Sequence, residues 1–394
     1  MPNYKLTKTA CYFTNVTMSI VANLSPLLFL TFREMYDLSF TLLGLLVVIN
    51  FATQLSIDLV FSFFTKYFNI HKTVRLTPFI AFLGLVFYAL MPMLLPELAF
   101  LWIVIGTVVF SISAGLAEVL ISPVVAAMPS ENPEREMSKL HSIYAWGVVG
   151  VVIVSTVVLY FIGNDNWCYL ALMWAAVPLV GSILFSLSPL PEMDIGGTER
   201  SGKLFSPALL LCVFLIFLGG ASECTMSQWV SGFAEEAVGV SKVLGDVFGL
   251  AFFGAMLGIG RTLYSKIGKN VINVMFLGMI GAAVCYITAA VVNIPAVALI
   301  ACGLTGICTS MLWPGTLIYA EEKITGLGVA AYALLAAGGD LGASVAPQLV
   351  GIISDTAGMR AGILSASLFP ICGIVLIIFT KKYFNKKEKP LGKE

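Results

Sequence analysis

Twelve runs of about twenty or more mostly apolar residues, each closed by proline, glycine, asparagine or a charge, limit what this chain can become. A helix needs that length to cross about 30 Å of hydrocarbon, where every backbone group has to be satisfied within its own segment. The runs fall at 9–32, 40–64, 74–95, 97–127, 139–162, 167–187, 207–234, 243–265, 270–292, 294–320, 325–354 and 358–380. An all-α membrane protein of twelve transmembrane helices is therefore expected, with the run at 325–354 open to bending at its glycines or at Pro347. Composition agrees, since 59% of the 394 residues are hydrophobic and 11% charged, against roughly 25% charged in a soluble domain. The polar start Met1 to Lys8 leads into a run too long for a signal-peptide core, so the first run is expected to stay in the protein.

Basic residues set the orientation. With the N-terminus in the cytoplasm, 19 of the 22 lysines and arginines fall in cytoplasmic segments, Arg261 counted among them, leaving Arg33, Lys242 and Arg360 outside. The expected arrangement is a multi-pass protein of the cell inner (plasma) membrane with both termini cytoplasmic. The longest hydrophilic stretch, 188–206, then lies inside and separates an N-terminal six-helix bundle, 1–187, from a C-terminal one, 207–380. A basic tail, 381–394, suits contact with anionic lipid. Two six-span halves gain support from a short repeat: Thr65-x-Tyr67-x-x-Ile70-x-Lys72 recurs as Thr262-x-Tyr264-x-x-Ile267-x-Lys269, between the second and third span of each half.

This layout resembles the major facilitator superfamily over essentially the whole chain. That family's basic loop after span two survives here in degraded form, as Asp58 followed by Lys66-Tyr67-Phe68-Asn69-Ile70-His71-Lys72. Three further segments resemble its fucose permease and glucose–proton symporter branch. They are Gly115-x-x-Glu118-x-x-x-Ser122-Pro123, Leu140-His141-x-x-Tyr144-x-x-Gly147, and Gly220-x-x-Glu223 followed by Trp229. The resemblance implies two pseudo-symmetric bundles, alternating access and a span-four acid that contacts sugar hydroxyls and a proton. One departure matters: the branch carries an acid on span one, where this chain reads Asn23-Leu24-Ser25-Pro26, so a two-carboxylate scheme does not carry over.

Charge inside a membrane is costly and usually serves a cavity. Glu118, among Leu, Val and Ile, is the candidate coupling acid and a substrate contact, the competing reading being an interhelical hydrogen bond. Glu223 is a second candidate for substrate or ion, with the same structural alternative. Asp340, within Gly338-Gly339-Asp340-Leu341-Gly342, and Asp58 suit packing or gating, because small residues let helices approach closely. His141, near the start of span five, is either a proton relay to Glu118 or an interfacial histidine.

Trp146, Trp229 and Trp313 stand inside spans rather than in interface belts. With the amides of Asn23, Asn50 and Gln54 they suit a neutral sugar, whose C–H face stacks on aromatic rings while its hydroxyls meet amides, though packing remains open for each tryptophan. No lysine or arginine was placed mid-span, which argues against an anionic substrate.

The expected function is a secondary active transporter moving a monosaccharide or similar polyol by cation symport, with protons ahead of sodium. A drug or lipophilic-cation antiporter is the alternative. No cofactor or metal is expected, since the eight cysteines lack metal-ligand spacing, and two histidines offer no catalytic constellation. Scattered basic residues exclude a nucleic-acid partner, and a monomer is the state the resemblance implies.

Overall fold

The computed structural model describes residues 3–64, 67–130, 133–193, 206–267, 270–324 and 329–388. Thr65, Lys66 and Lys269 of the repeat lie outside them, as do most of the linker and the end of the tail. All described secondary structure is helical. The N-terminal half comprises α1 (Lys5–Leu27), α2 (Phe29–Tyr36), α3 (Phe40–Phe64), α4 (Ile70–Leu94), α5 (Ala99–Ala127), α6 (Pro133–Ile162) and α7 (Trp167–Leu187). The C-terminal half comprises α8 (Pro207–Glu236), α9 (Lys242–Gly245), a π-helical turn Asp246–Ala251, α10 (Phe252–Ile267), α11 (Val271–Val291), α12 (Pro295–Thr309), α13 (Leu312–Lys323), α14 (Val329–Ala357), α15 (Met359–Ala366) and α16 (Leu368–Glu388). Eleven helical stretches are long and apolar enough to span a membrane, or twelve when α1 and α2 count as one span bent by 47°.

Local signals explain the starts. Ser206 accepts from Leu209 N and is followed by Pro207, whose missing N–H costs nothing at a first helical turn. Asn69 caps α4 in the same way through Lys72 N. The α1–α2 bend falls at Leu28, two residues after Pro26. By contrast α14 runs unbroken through Pro347 and its glycines, and the tenth span breaks at Ser310–Met311, just before Trp313-Pro314.

With a lipid surround, large apolar side chains such as Leu94, Phe161, Leu187 and Phe379 stay on the outside. Helix approach then depends on small residues. A Cβ on Gly84 of α4 would lie 2.5 Å from Phe110 N of α5, and one on Gly106 of α5 would lie 2.6 Å from Tyr88 Cβ of α4. Gly106→Leu is therefore expected to destabilise the N-terminal half by about 1–3 kcal/mol through overpacking, read as a lowered thermal midpoint of the purified protein. An unchanged midpoint would mean that α4 and α5 separate freely.

Counted as twelve crossings, the spans return the start of α1 and the end of α16 to one face of the bundle, called here the terminal face, with the distal face opposite. The halves meet along two seams, α3 against α14 and α6 against α10. Among the described residues, the hydrogen bonds between the halves cluster on the distal side. Asp355, at the end of α14, accepts from Phe40 N and Thr41 N at 2.8 Å each and from Thr41 Oγ1 at 2.6 Å, so it caps the first turn of α3 across the seam. Arg33 lies 3.9 Å from Asp355 and stacks over Phe40 at 4.0 Å. Gln348 Nε2 donates to Thr41 O, and Gln228 Nε2 to Ala22 O. These contacts tie the two halves together on the distal side.

Candidate functional site

Glu118 sits nine residues before the end of α5, about 14 Å from it at 1.5 Å per residue. It is exposed, although the helix around it is largely buried. A turn earlier, Gly115 presses on Gln54 and Ile57 of α3, which brings the two helices together. Along that contact runs a polar ladder: Ser111 Oγ donates to Asn50 Oδ1 at 2.7 Å, and Gln54 Nε2 donates to the same oxygen at 2.9 Å. Asn50 and Gln54, singled out separately in the sequence, are therefore one unit beside Glu118.

Glu118 acts electrostatically on Asp58 of α3, Asp340 of α14 and Tyr144 of α6. The first two are buried at the seam. The Tyr144 carbonyl accepts from Ser19 Oγ at 2.9 Å, which seats this stretch of α6 against α1.

Glu223 has a partner that the sequence reading did not assign. Arg261 of α10 places Nη2 3.0 Å from Glu223 Oε1, and its Nε donates to Ser310 O, the carbonyl at the break between α12 and α13. A guanidinium suits both contacts, since its rigid fork reaches a carboxylate and a helix C-terminal carbonyl together. Two expectations change with it. Glu223 meets a cation rather than a Ser or Thr, and a basic residue does lie within a span, because α10 carries Arg261 inside the stretch Lys242–Tyr264. The argument against an anionic substrate loses its premise, although this guanidinium is already matched by a carboxylate.

The tryptophans part company. Trp313 is half-buried with its ring over Gly220 of α8 and Gly339 of α14, next to Asp340 and one turn from Glu223. Trp229 is fully buried, donating Nε1 to Pro347 O at 2.9 Å and packing on Phe29 and Phe40. Its place is in the seam between the halves, packed against α2, α3 and α14. Trp146 is 68% exposed. The residues after it, Gly147 and Val148, face Ser19 of α1 and Gly254 of α10, so the helix period turns Trp146 outward. The cavity role expected of Trp146 does not fit that position. Asn23 is buried and spends its amide on Ser19 O at 2.9 Å. His141 stands in α6 outside the residues whose side chains are described.

A second polar centre, on the distal side, was also missed. Asp246, at the start of the π-helical turn, is fully buried and accepts from Thr156 Oγ1 of α6 at 3.0 Å and from Ser231 Oγ of α8. Lys242 pairs with it at 3.2 Å and donates to Leu27 O at the end of α1. The signal available in the sequence was a lysine four residues before an aspartate, a spacing that places both on one helix face.

The sequence model of the Major Facilitator Superfamily matches residues 9–329. No curated protein sequence matches the chain. Among solved structures, a bacterial homologue of the human lysosomal transporter Spinster, inward-facing and occupied, is similar at a TM-score of 0.77 and 14% identity over 100% of both chains. The xylose transporter of E. coli in an inward-open conformation gives 0.77 at 14% identity, with 96% of this chain and 95% of that one covered. The fucose:proton symporter of E. coli gives 0.64 at 14% identity, covering 96% and 99%. At such identities the likeness establishes the fold.

Proposed function

The chain belongs to the major facilitator superfamily, and from that premise we propose that this transporter carries a neutral monosaccharide or similar polyol by cation symport, with a proton as the coupling ion. Its terminal face would be the cytoplasmic one, as the basic residues imply. Alternating access would part the distal contacts while that face closes.

One observation carries the reading. Glu118 is an exposed carboxylate beside the Asn50–Gln54–Ser111 ladder. An acid that can gain or lose a proton, set against amides and hydroxyls that can exchange hydrogen bonds with sugar hydroxyls, joins ion and substrate in one place. Trp313 supplies an aromatic surface nearby. The fold is shared with sugar:proton symporters, which agrees with this reading.

A second reading has its own observation. Asp58, Glu118 and Asp340 act on one another without a cation among the groups that act on the two aspartates. Such a site also attracts a lipophilic cation, which a proton antiporter would expel.

Uptake of labelled fucose, galactose, glucose and mannose into proteoliposomes under imposed proton or sodium gradients separates the two. Gradient-driven accumulation of one sugar is expected, and Glu118→Gln is expected to reduce it to equilibration. If no sugar moves under any gradient while a lipophilic cation is expelled, antiport replaces symport.

A further inference from the structure

Ser111 Oγ and Gln54 Nε2 both donate to Asn50 Oδ1, at 2.7 and 2.9 Å, and so use both lone pairs of that oxygen. Ser111 is fully buried and lies seven residues before Glu118, which puts both on one face of α5 about 10 Å apart. Asn50 Nδ2 and Gln54 Oε1 make no hydrogen bond among the described residues, yet neither is walled in, unlike Thr107 Oγ1 one turn before Ser111. The exposed residues on this stretch of α3, Ala52 and Ser56, lie on the opposite side of the helix, so the two free amide atoms open inward.

Two amides that meet nitrogen to oxygen leave one donor and one acceptor over, whichever way round they sit. Here the donor is the Asn50 nitrogen and the acceptor is the Gln54 carbonyl, four residues apart and therefore neighbours on one helix face. A pair of hydroxyls matches them, because one hydroxyl accepts while the next donates. A lipophilic cation meets only the acceptor and leaves the Asn50 N–H groups unpaired, a cost that a hydroxylated ligand avoids. Without the Ser111 hydroxyl, Gln54 alone would hold the Asn50 amide, whose terminal torsion has only broad preferences of its own. Donor and acceptor would then no longer be fixed side by side.

We propose that Ser111 is a positioning residue that locks the Asn50 and Gln54 amides into a donor–acceptor pair, and that this pair selects a substrate presenting two neighbouring hydroxyls. Ser111 does this from α5 without touching the substrate, because its side chain is enclosed between the helices. The hydroxyl-pair assignment rests on the sugar reading, whereas the lock does not.

Two measurements on the full-length protein in lipid test the lock and the selection. With isotope-labelled asparagine and no substrate present, the Asn50 side-chain amide resonance is identified by its loss in Asn50→Asp. It is expected to shift or broaden in Ser111→Ala and to stay in place in Ser111→Thr, which keeps the hydroxyl. In proteoliposomes, Ser111→Ala is expected to raise KM for the transported hexose about tenfold with kcat little changed, as loss of a neutral hydrogen bond to the substrate would. It should also erase the wild-type preference for that hexose over its monodeoxy analogues. A Ser111 that only held the helices together would lower the amount of folded protein and leave KM alone. An Asn50 resonance indifferent to Ser111→Ala overturns the lock, and a moved resonance with unchanged KM and unchanged discrimination overturns the selection. If wild type moves no hexose, the sugar reading fails and the hydroxyl-pair assignment fails with it, while the resonance still decides the lock.

Discussion

Asp246→Ala is expected to tip the transporter toward the state open on the distal face by roughly a hundredfold or more. The carboxylate is fully buried and ties the C-terminal half to Thr156 of the other half, while its partner Lys242 reaches back to Leu27. Removing it strips the Lys242 ammonium, 12% exposed, of its ion-pair partner. Breaking a buried pair from one side costs about 3–5 kcal/mol, and each 1.4 kcal/mol is tenfold in an equilibrium. That cost falls mainly on the closed state, because opening the distal face lets water solvate the lysine. Distances between spin labels on the distal ends of α6 and α10 would report the shift. Thr156→Ala removes only one charge-assisted hydrogen bond, about 1.5–3 kcal/mol, and should move the same distances less. If Asp246→Ala lowers overall stability but leaves those distances unchanged, Asp246 is a packing element of one half and no latch.

Breaking the Glu223–Arg261 pair should produce the other large effect. Arg261 is 36% exposed and Glu223 13%, so water reaches the guanidinium and the loss belongs at the lower end of the range for buried pairs, about 3 kcal/mol for Glu223→Gln or Arg261→Gln alone. Arg261→Gln should be the worse of the two, because it also releases the Ser310 carbonyl at the break between α12 and α13. Neutralising both together should restore most of the stability, since neither variant then leaves an unmatched charge. A double-mutant cycle on equilibrium unfolding in detergent measures the coupling. Additive losses would mean that the two side chains act on separate elements, and the ion pair would not be what holds α8 to α10.

What could be read without coordinates was the one-dimensional part. Hydrocarbon thickness fixes how long an apolar run must be, so the third and seventh helices, Phe40–Phe64 and Trp167–Leu187, begin and end where the sequence breaks. The family fold follows from the same counting. Local chemistry was less dependable within a helix. Pro347 leaves α14 intact, whereas Pro26 precedes a real bend, and the π-helical turn at Asp246 had no signal in the run that contains it.

The sequence by itself determined a twelve-span transporter in two halves, because backbone hydrogen bonding in a bilayer permits few other forms for such runs. It also marked Glu118, Glu223, Asp58 and Asp340 as charges needing an explanation. Only the tertiary structure decided what answers each charge. Arg261 is 38 residues from Glu223 and Thr156 is 90 from Asp246, and no periodicity within one helix records which face of another helix it will meet. Trp146 and Trp229 make the same point, one turned outward and one sealed against Pro347, because a residue's depth is written in its own helix whereas its direction is set by the neighbours packed around that helix.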